Sequence, residues 1–122
     1  MKWMIVALGG ALGSTARHWV NLQLGHRLES PVPYATFAVN VIGCIVIGVL
    51  AGLIASGRLY LTPTMRTFVF VGILGGFTTF SSFGLDTFTL AQGGNHVAAF
   101  WNVAGQVGLG LGGVWLGFYL SV

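Results

Sequence analysis

The sequence predicts an all-α membrane protein with four transmembrane helices, the third of them broken. Three observations carry that prediction. The chain of 122 residues is 55% hydrophobic and 6% charged, whereas soluble domains carry about 25% charged residues. Its apolar residues fall into four runs, at about 3–24, 34–56, 65–90 and 98–120. Each is close to the roughly 20 residues that cross a bilayer. The third run contains Gly75-Gly76-Phe77-Thr78-Thr79, a pair of glycines and a pair of threonines that weaken a helix where they stand.

The first span opens on Trp3 and carries Arg17 toward its far end. Lys2 before an apolar run imitates a signal peptide, but three further spans make that reading minor. The second span follows Pro33, where proline is tolerated at a helix start, and holds Asn40 in an otherwise apolar stretch. Pro63 stands in the same relation to the third span. The fourth has no Ser or Thr between Ala98 and Leu120, and its polar side chains are Asn102 and Gln106. Trp3, Trp19, Tyr34, Tyr60, Trp101 and Tyr119 lie near span ends, as interfacial aromatics do. The separators are short, so the chain reads as a single transmembrane domain over 1–122.

Several function classes drop out. No loop is long enough for a catalytic constellation, so no enzyme is expected. A net charge of +3 is too sparse for a nucleic-acid surface. No glycine-rich loop precedes a lysine to cradle phosphate. Cys44 is the lone cysteine, which excludes an internal disulfide, and in its apolar run it reads as a small hydrophobe. His18, His26 and His96 have no metal-ligand spacing and read as interfacial.

Orientation is weakly specified. With the amino end inside, Lys2, Arg58 and Arg66 face the cytoplasm and Arg17 and Arg27 the other side, a feeble positive-inside bias. A chain that inserts both ways is the sharper expectation. Gly9 with Gly13, Gly48 with Gly52, Gly72 with Gly76, Gly108 with Gly112 and Gly113 with Gly117 have the spacing that lets helices approach closely. Together they predict a homo-oligomer.

Few polar groups occupy the spans. Arg17 is costly in hydrocarbon and must face protein, a watery vestibule or the interface. Asn40 either bridges helices or donates to a buried anion. Asp86 is open to four readings: cation site, proton relay, partner of Arg17, or plain helix-end charge. A break at mid-membrane depth usually marks an ion or substrate site. Thr78, Thr79, Ser81 and Ser82 supply hydroxyls there, and freed carbonyls suit a hard cation such as sodium. Phe80 and Phe83, three apart on one helix face, have positive ring edges that can meet an anion or simply pack.

Gly75-Gly76-Phe77-Thr78-Thr79-Phe80-Ser81-Ser82-Phe83 resembles the core motif of the small CrcB/Fluc fluoride channels. Gly9-Gly10-Ala11-Leu12-Gly13 with Arg17 is similar to that family's opening, and Thr36-Phe37-Ala38-Val39-Asn40-Val41-Ile42-Gly43 to its second-span signature. The resemblance implies an antiparallel, dual-topology homodimer in the cell's inner (plasma) membrane, passing fluoride passively along two interfacial pathways. Phe80, Phe83 and Asn40 would line each pathway, with Thr79, Ser81, Ser82 and Gln106 adding donors. Arg17 and Asp86 would sit at the vestibule. One central sodium ion would be held by the backbone carbonyls of Gly75 and Thr78 from both subunits. Two departures stand out: Asp86 replaces a frequent glutamate, and the last span lacks the family's usual hydroxyls.

Two other classes compete. A small multidrug-type exporter shares the size and span number, but it needs a membrane-embedded acid in its first helix, and none is present between residues 3 and 24. A non-transporting scaffold accounts for the glycines and leaves the broken span unexplained.

Overall fold

The computed structural model describes residues 1–25 and 31–122; His26, read above as interfacial, and Arg27, placed above on the outer side, lie outside them. The described residues form helices joined by short turns. Helix α1 spans Lys2–Gly25 and α2 spans Tyr34–Ala55. The third membrane segment, Pro63–Gln92, divides into α3 (residues 63–77) and α4 (Phe80–Gln92). Helix α5 spans His96–Ser121.

Among the described residues, three segments are both long and apolar enough to cross a membrane: Tyr34–Ala55, Pro63–Gln92 and His96–Ser121. Helix α1 has the length, at 24 residues, but Arg17, His18, Asn21 and Gln23 make its second half polar. It joins the bundle through packing, lying along α3. Helix α5 begins where the Asn95 side chain accepts the Ala98 N–H at 3.3 Å. Helix α3 begins with Thr62 capping Met65 and Pro63 in the first turn.

The paired glycines act mainly inside the subunit. A methyl group at Gly9 would lie 2.7 Å from the Phe68 carbonyl oxygen, and one at Gly76 would lie 2.7 Å from the Gly10 oxygen. A methyl at Gly13 would overlap the Ile73 carbonyl. Helices α1 and α3 therefore touch backbone to backbone, the contact that glycine alone permits. Gly48 and Gly52 bring α2 onto the α5 backbone at Val114 and Phe118, and Gly113 and Gly117 return the contact at Ile45 and Val49. Of the five pairs, Gly108 with Gly112 alone meets open space at both positions. The glycine spacing thus reports helix packing within this chain.

The third segment departs from expectation in two ways. Residues Thr67–Leu74 wind more widely than an α-helix, with the Gly75 N–H reaching the Phe70 carbonyl five residues back. Such π-type turns are rare and frequent at functional sites. The break falls at Thr78 and Thr79, both extended (φ −84°, ψ 159° and φ −153°, ψ 116°), whereas Gly75 and Gly76 remain helical. The glycines keep helical geometry because Gly76 is spent on contact with α1. The threonines leave it because Asn40 takes the Thr79 N–H.

Candidate functional site

Helix α2 carries Asn40 to the break. Its Oδ1 accepts the Thr79 N–H at 2.8 Å, and its Nδ2 donates to the Thr79 carbonyl at 3.0 Å. One side-chain amide thus replaces the backbone bonds that α3 loses at its end, which is how an interrupted helix is tolerated in lipid. Thr79 then starts α4: its hydroxyl accepts the Ser82 N–H at 3.2 Å and lies 3.0 Å from the Ser82 hydroxyl. Thr78 turns its own hydroxyl back to the Leu74 carbonyl at 2.9 Å. Its methyl fills the space that Gly43 leaves open on α2.

Beside the break lies a cavity of 370 Å³ between α2, α3, α4 and α5. Asn40, Thr78, Thr79 and Gln106 face it with polar atoms; Phe80, Phe83, Phe70 and Leu74 supply apolar walls, and Cys44 and Gly75 complete it. No charged side chain lines it. The Phe80 and Phe83 rings lie 5.5 Å apart, tilted by 45°. Phe80 is 84% exposed, so the cavity opens on the outer face of the subunit.

The remaining expected residues divide. Gln106 joins the site directly, its Oε1 accepting from Asn40 Nδ2 at 2.7 Å. Ser81 and Ser82 do not line the cavity; Ser81 is exposed, 3.3 Å from the Thr79 hydroxyl, and Ser82 faces a second cavity with Asp86, Asn21 and Thr36. Arg17 reaches the break itself, Nη1 donating to the Thr78 carbonyl at 3.3 Å. Among the described residues no ion pair joins it to Asp86. Asp86 Oδ2 is buried without a hydrogen-bond partner there. Asn102 and Thr87 extend the site beyond what the sequence singled out. Gln106 Nε2 donates to Asn102 Oδ1, and Asn102 Nδ2 donates to the Thr87 hydroxyl, both at 2.9 Å. The four-residue spacing of Asn102 and Gln106 on α5 was the available signal.

A cation at the break would have to rest on backbone oxygens, since no group of three or more His, Cys, Asp or Glu among the described residues could hold a metal. Gly75 fits. Its carbonyl receives neither of the next amides, because Thr78 N–H goes to Leu74 and Thr79 N–H to Asn40. Gly75 is also exposed. The Thr78 carbonyl retains a second lone pair beside its bond from Arg17.

A multi-pass helical bundle whose broken segment meets a donor-lined cavity is the architecture of a membrane protein built around a small ligand or ion. Residues 4–118 match the family described as "CrcB-like protein, Camphor Resistance (CrcB)", and the chain belongs to that family. It is 46% identical to the fluoride-specific ion channel FluC of Paramagnetospirillum magneticum, covering 96% of this chain and 92% of that one. It is 48% identical to the protein of the same name from Methylobacillus flagellatus, over 96% and 91%. It is 49% identical to that of Paracoccus denitrificans, over 89% and 85%.

Proposed function

We propose that this chain is a fluoride-selective channel that lets fluoride leave passively, down its electrochemical gradient. The observation that carries the reading is the cavity at the helix break, which is lined by amide and hydroxyl side chains and by no charged one. Fluoride is small and strongly hydrated, so a pore must replace its water with several donors. An acidic lining would favour cations, and a basic one would bind the anion too tightly for it to leave.

The working unit is an antiparallel homodimer with two pathways. Gly75 and Phe80 are exposed at the mouth of the cavity, and carbonyls freed at membrane depth need a partner. A second copy crossing at the same break supplies it. Gly75 and Thr78 of both copies would then hold one sodium ion by their carbonyl oxygens. When bound, that charge would favour anions in the two flanking cavities. Arg17, at the Thr78 carbonyl, adds a fixed positive charge on the same side.

The test is fluoride efflux from liposomes loaded with potassium fluoride, with no proton gradient. Rapid efflux that leaves chloride behind is expected. Efflux that requires a proton gradient would make the protein an exporter, and no efflux at all would make it a scaffold; either overturns the channel reading.

A further inference from the structure

Six side-chain and backbone groups form one hydrogen-bonded line through the chain. Thr79 N–H donates to Asn40 Oδ1 at 2.8 Å, and Asn40 Nδ2 to Gln106 Oε1 at 2.7 Å. Gln106 Nε2 donates to Asn102 Oδ1 at 2.9 Å, and Asn102 Nδ2 to Thr87 Oγ1 at 2.9 Å. The Thr87 hydroxyl ends the line on the Phe83 carbonyl at 2.8 Å. A backbone N–H can only donate and a carbonyl can only accept, so the two ends fix the sense of every amide between them. Turning one amide alone would set two donors or two acceptors face to face.

The line has a consequence for the cavity. Both Nδ2 hydrogens of Asn40 are spent, one on the Thr79 carbonyl and one on Gln106. Where Asn40 meets Gln106 the cavity therefore presents an oxygen, which repels an anion. Gln106 can offer an N–H there only by turning its carboxamide, and that brings its Oε1 onto Asn102 Oδ1. Asn102 is 2% exposed and has no water to turn to. It can turn only if Thr87 gives it a donor. A hydroxyl can do so, because it both donates and accepts: Thr87 releases the Phe83 carbonyl and donates to Asn102 Oδ1.

We propose that Asn102 and Thr87 are positioning residues that let Gln106 turn, so that an anion entering the cavity meets two N–H donors, Asn40 Nδ2 and Gln106 Nε2, instead of a donor and an acceptor. Without an anion the junction closes on itself and leaves no donor unpaired. With one, the Gln106–Asn102–Thr87 half of the line reverses, while Thr79 holds Asn40 in place. The inference rests on the fluoride reading and adds two residues to it, neither of which touches the cavity.

Fluoride binding to the purified dimer, read by calorimetry, tests the reversal on Gln106→Leu and Asn102→Leu. Gln106→Leu removes a donor and is expected to weaken binding about ten-fold. Asn102→Leu removes the donor that the turned Gln106 oxygen needs, and binding is expected to weaken about five-fold. Thr87→Ser keeps the hydroxyl and should bind like the parent. Thr87→Val keeps the volume of the side chain but has no hydroxyl to donate, and binding is expected to weaken about five-fold as well. Parent-like binding in Asn102→Leu and Thr87→Val, or a Thr87→Ser variant that weakens as Thr87→Val does, overturns the inference and leaves the fluoride reading standing; a parent protein that neither binds nor passes fluoride overturns both. Asn102→Ala replaces Asn102→Leu if the larger side chain prevents assembly, with the same outcomes.

Discussion

At the residue scale, Asn40 stands at the centre of both the fold and the proposed path. Three hydrogen bonds at 2.7–3.0 Å tie it to Thr79 and Gln106. Asn40→Ala leaves the Thr79 N–H without its acceptor and removes a donor from the cavity. The loss of about 1–3 kcal/mol per unmade bond predicts fluoride efflux slower by about one to two orders of magnitude. Liposome flux on a variant confirmed as dimeric by size exclusion checks this; parental flux would return Asn40 to a helix-bridging role. Phe80 and Phe83 make a separate prediction. Phe80→Ile and Phe83→Ile keep an apolar wall but lose the ring edge proposed to face the anion, so both should lower flux with the dimer intact. Normal flux in both would assign the pair to packing. Asn40 was legible in the sequence because an amide in an apolar span has few alternatives. Thr87 was not, because a lone hydroxyl usually bonds its own helix, and this one does so at Phe83 while also accepting from Asn102.

At the element scale, the broken segment was visible in the sequence, but the position of the break was not. Propensity points to Gly75 and Gly76, the poorest helix formers in the motif. Tertiary contact overrides it: Gly76 stays helical against the Gly10 backbone, and the extended pair is Thr78 and Thr79. The polar half of α1 was likewise read as part of a span, although its packing on α3 rather than its hydropathy carries it into the bundle. That packing can be tested. At Gly13 a side chain would overlap the Ile73 carbonyl, which cannot move without shifting α3. Gly13→Val is expected to destabilise the subunit by about 1–3 kcal/mol through overpacking. Gly108 meets open space within the subunit, so Gly108→Ala should leave its helix content and unfolding temperature unchanged or slightly raised. Circular dichroism melts in detergent compare the two. Equal melts would mean that the α1–α3 contact does not set stability.

At the scale of the whole molecule, one subunit explains a donor-lined cavity but leaves it open on one side. The Gly75 carbonyl lacks a backbone donor and Phe80 is 84% exposed at the same place, which is where the proposed second copy would close the path. Charges that barely favour one orientation suit a dimer whose copies face opposite ways. In a Cys44→Ala background, Lys2→Cys should be labelled by an impermeant maleimide from both faces of the membrane in intact cells. Labelling from one face alone would rule out opposed copies. In the proposed dimer the same closure would gather four carbonyl oxygens on the twofold axis, from Gly75 and Thr78 of each copy. Carbonyl dipoles without a carboxylate suit a monovalent hard cation, and sodium is the abundant one. Because the proposed ligands are backbone atoms, Thr78→Ser should retain the ion, whereas Gly75→Val should disturb it by placing a branched side chain on the exposed surface where the second copy would approach. A high-resolution map obtained with sodium replaced by a bulky organic cation decides the point. Density on the axis should vanish there, together with fluoride flux in the same buffer. Density that persists unchanged at water-like distances would identify the occupant as water and leave the carbonyls to be satisfied by solvent.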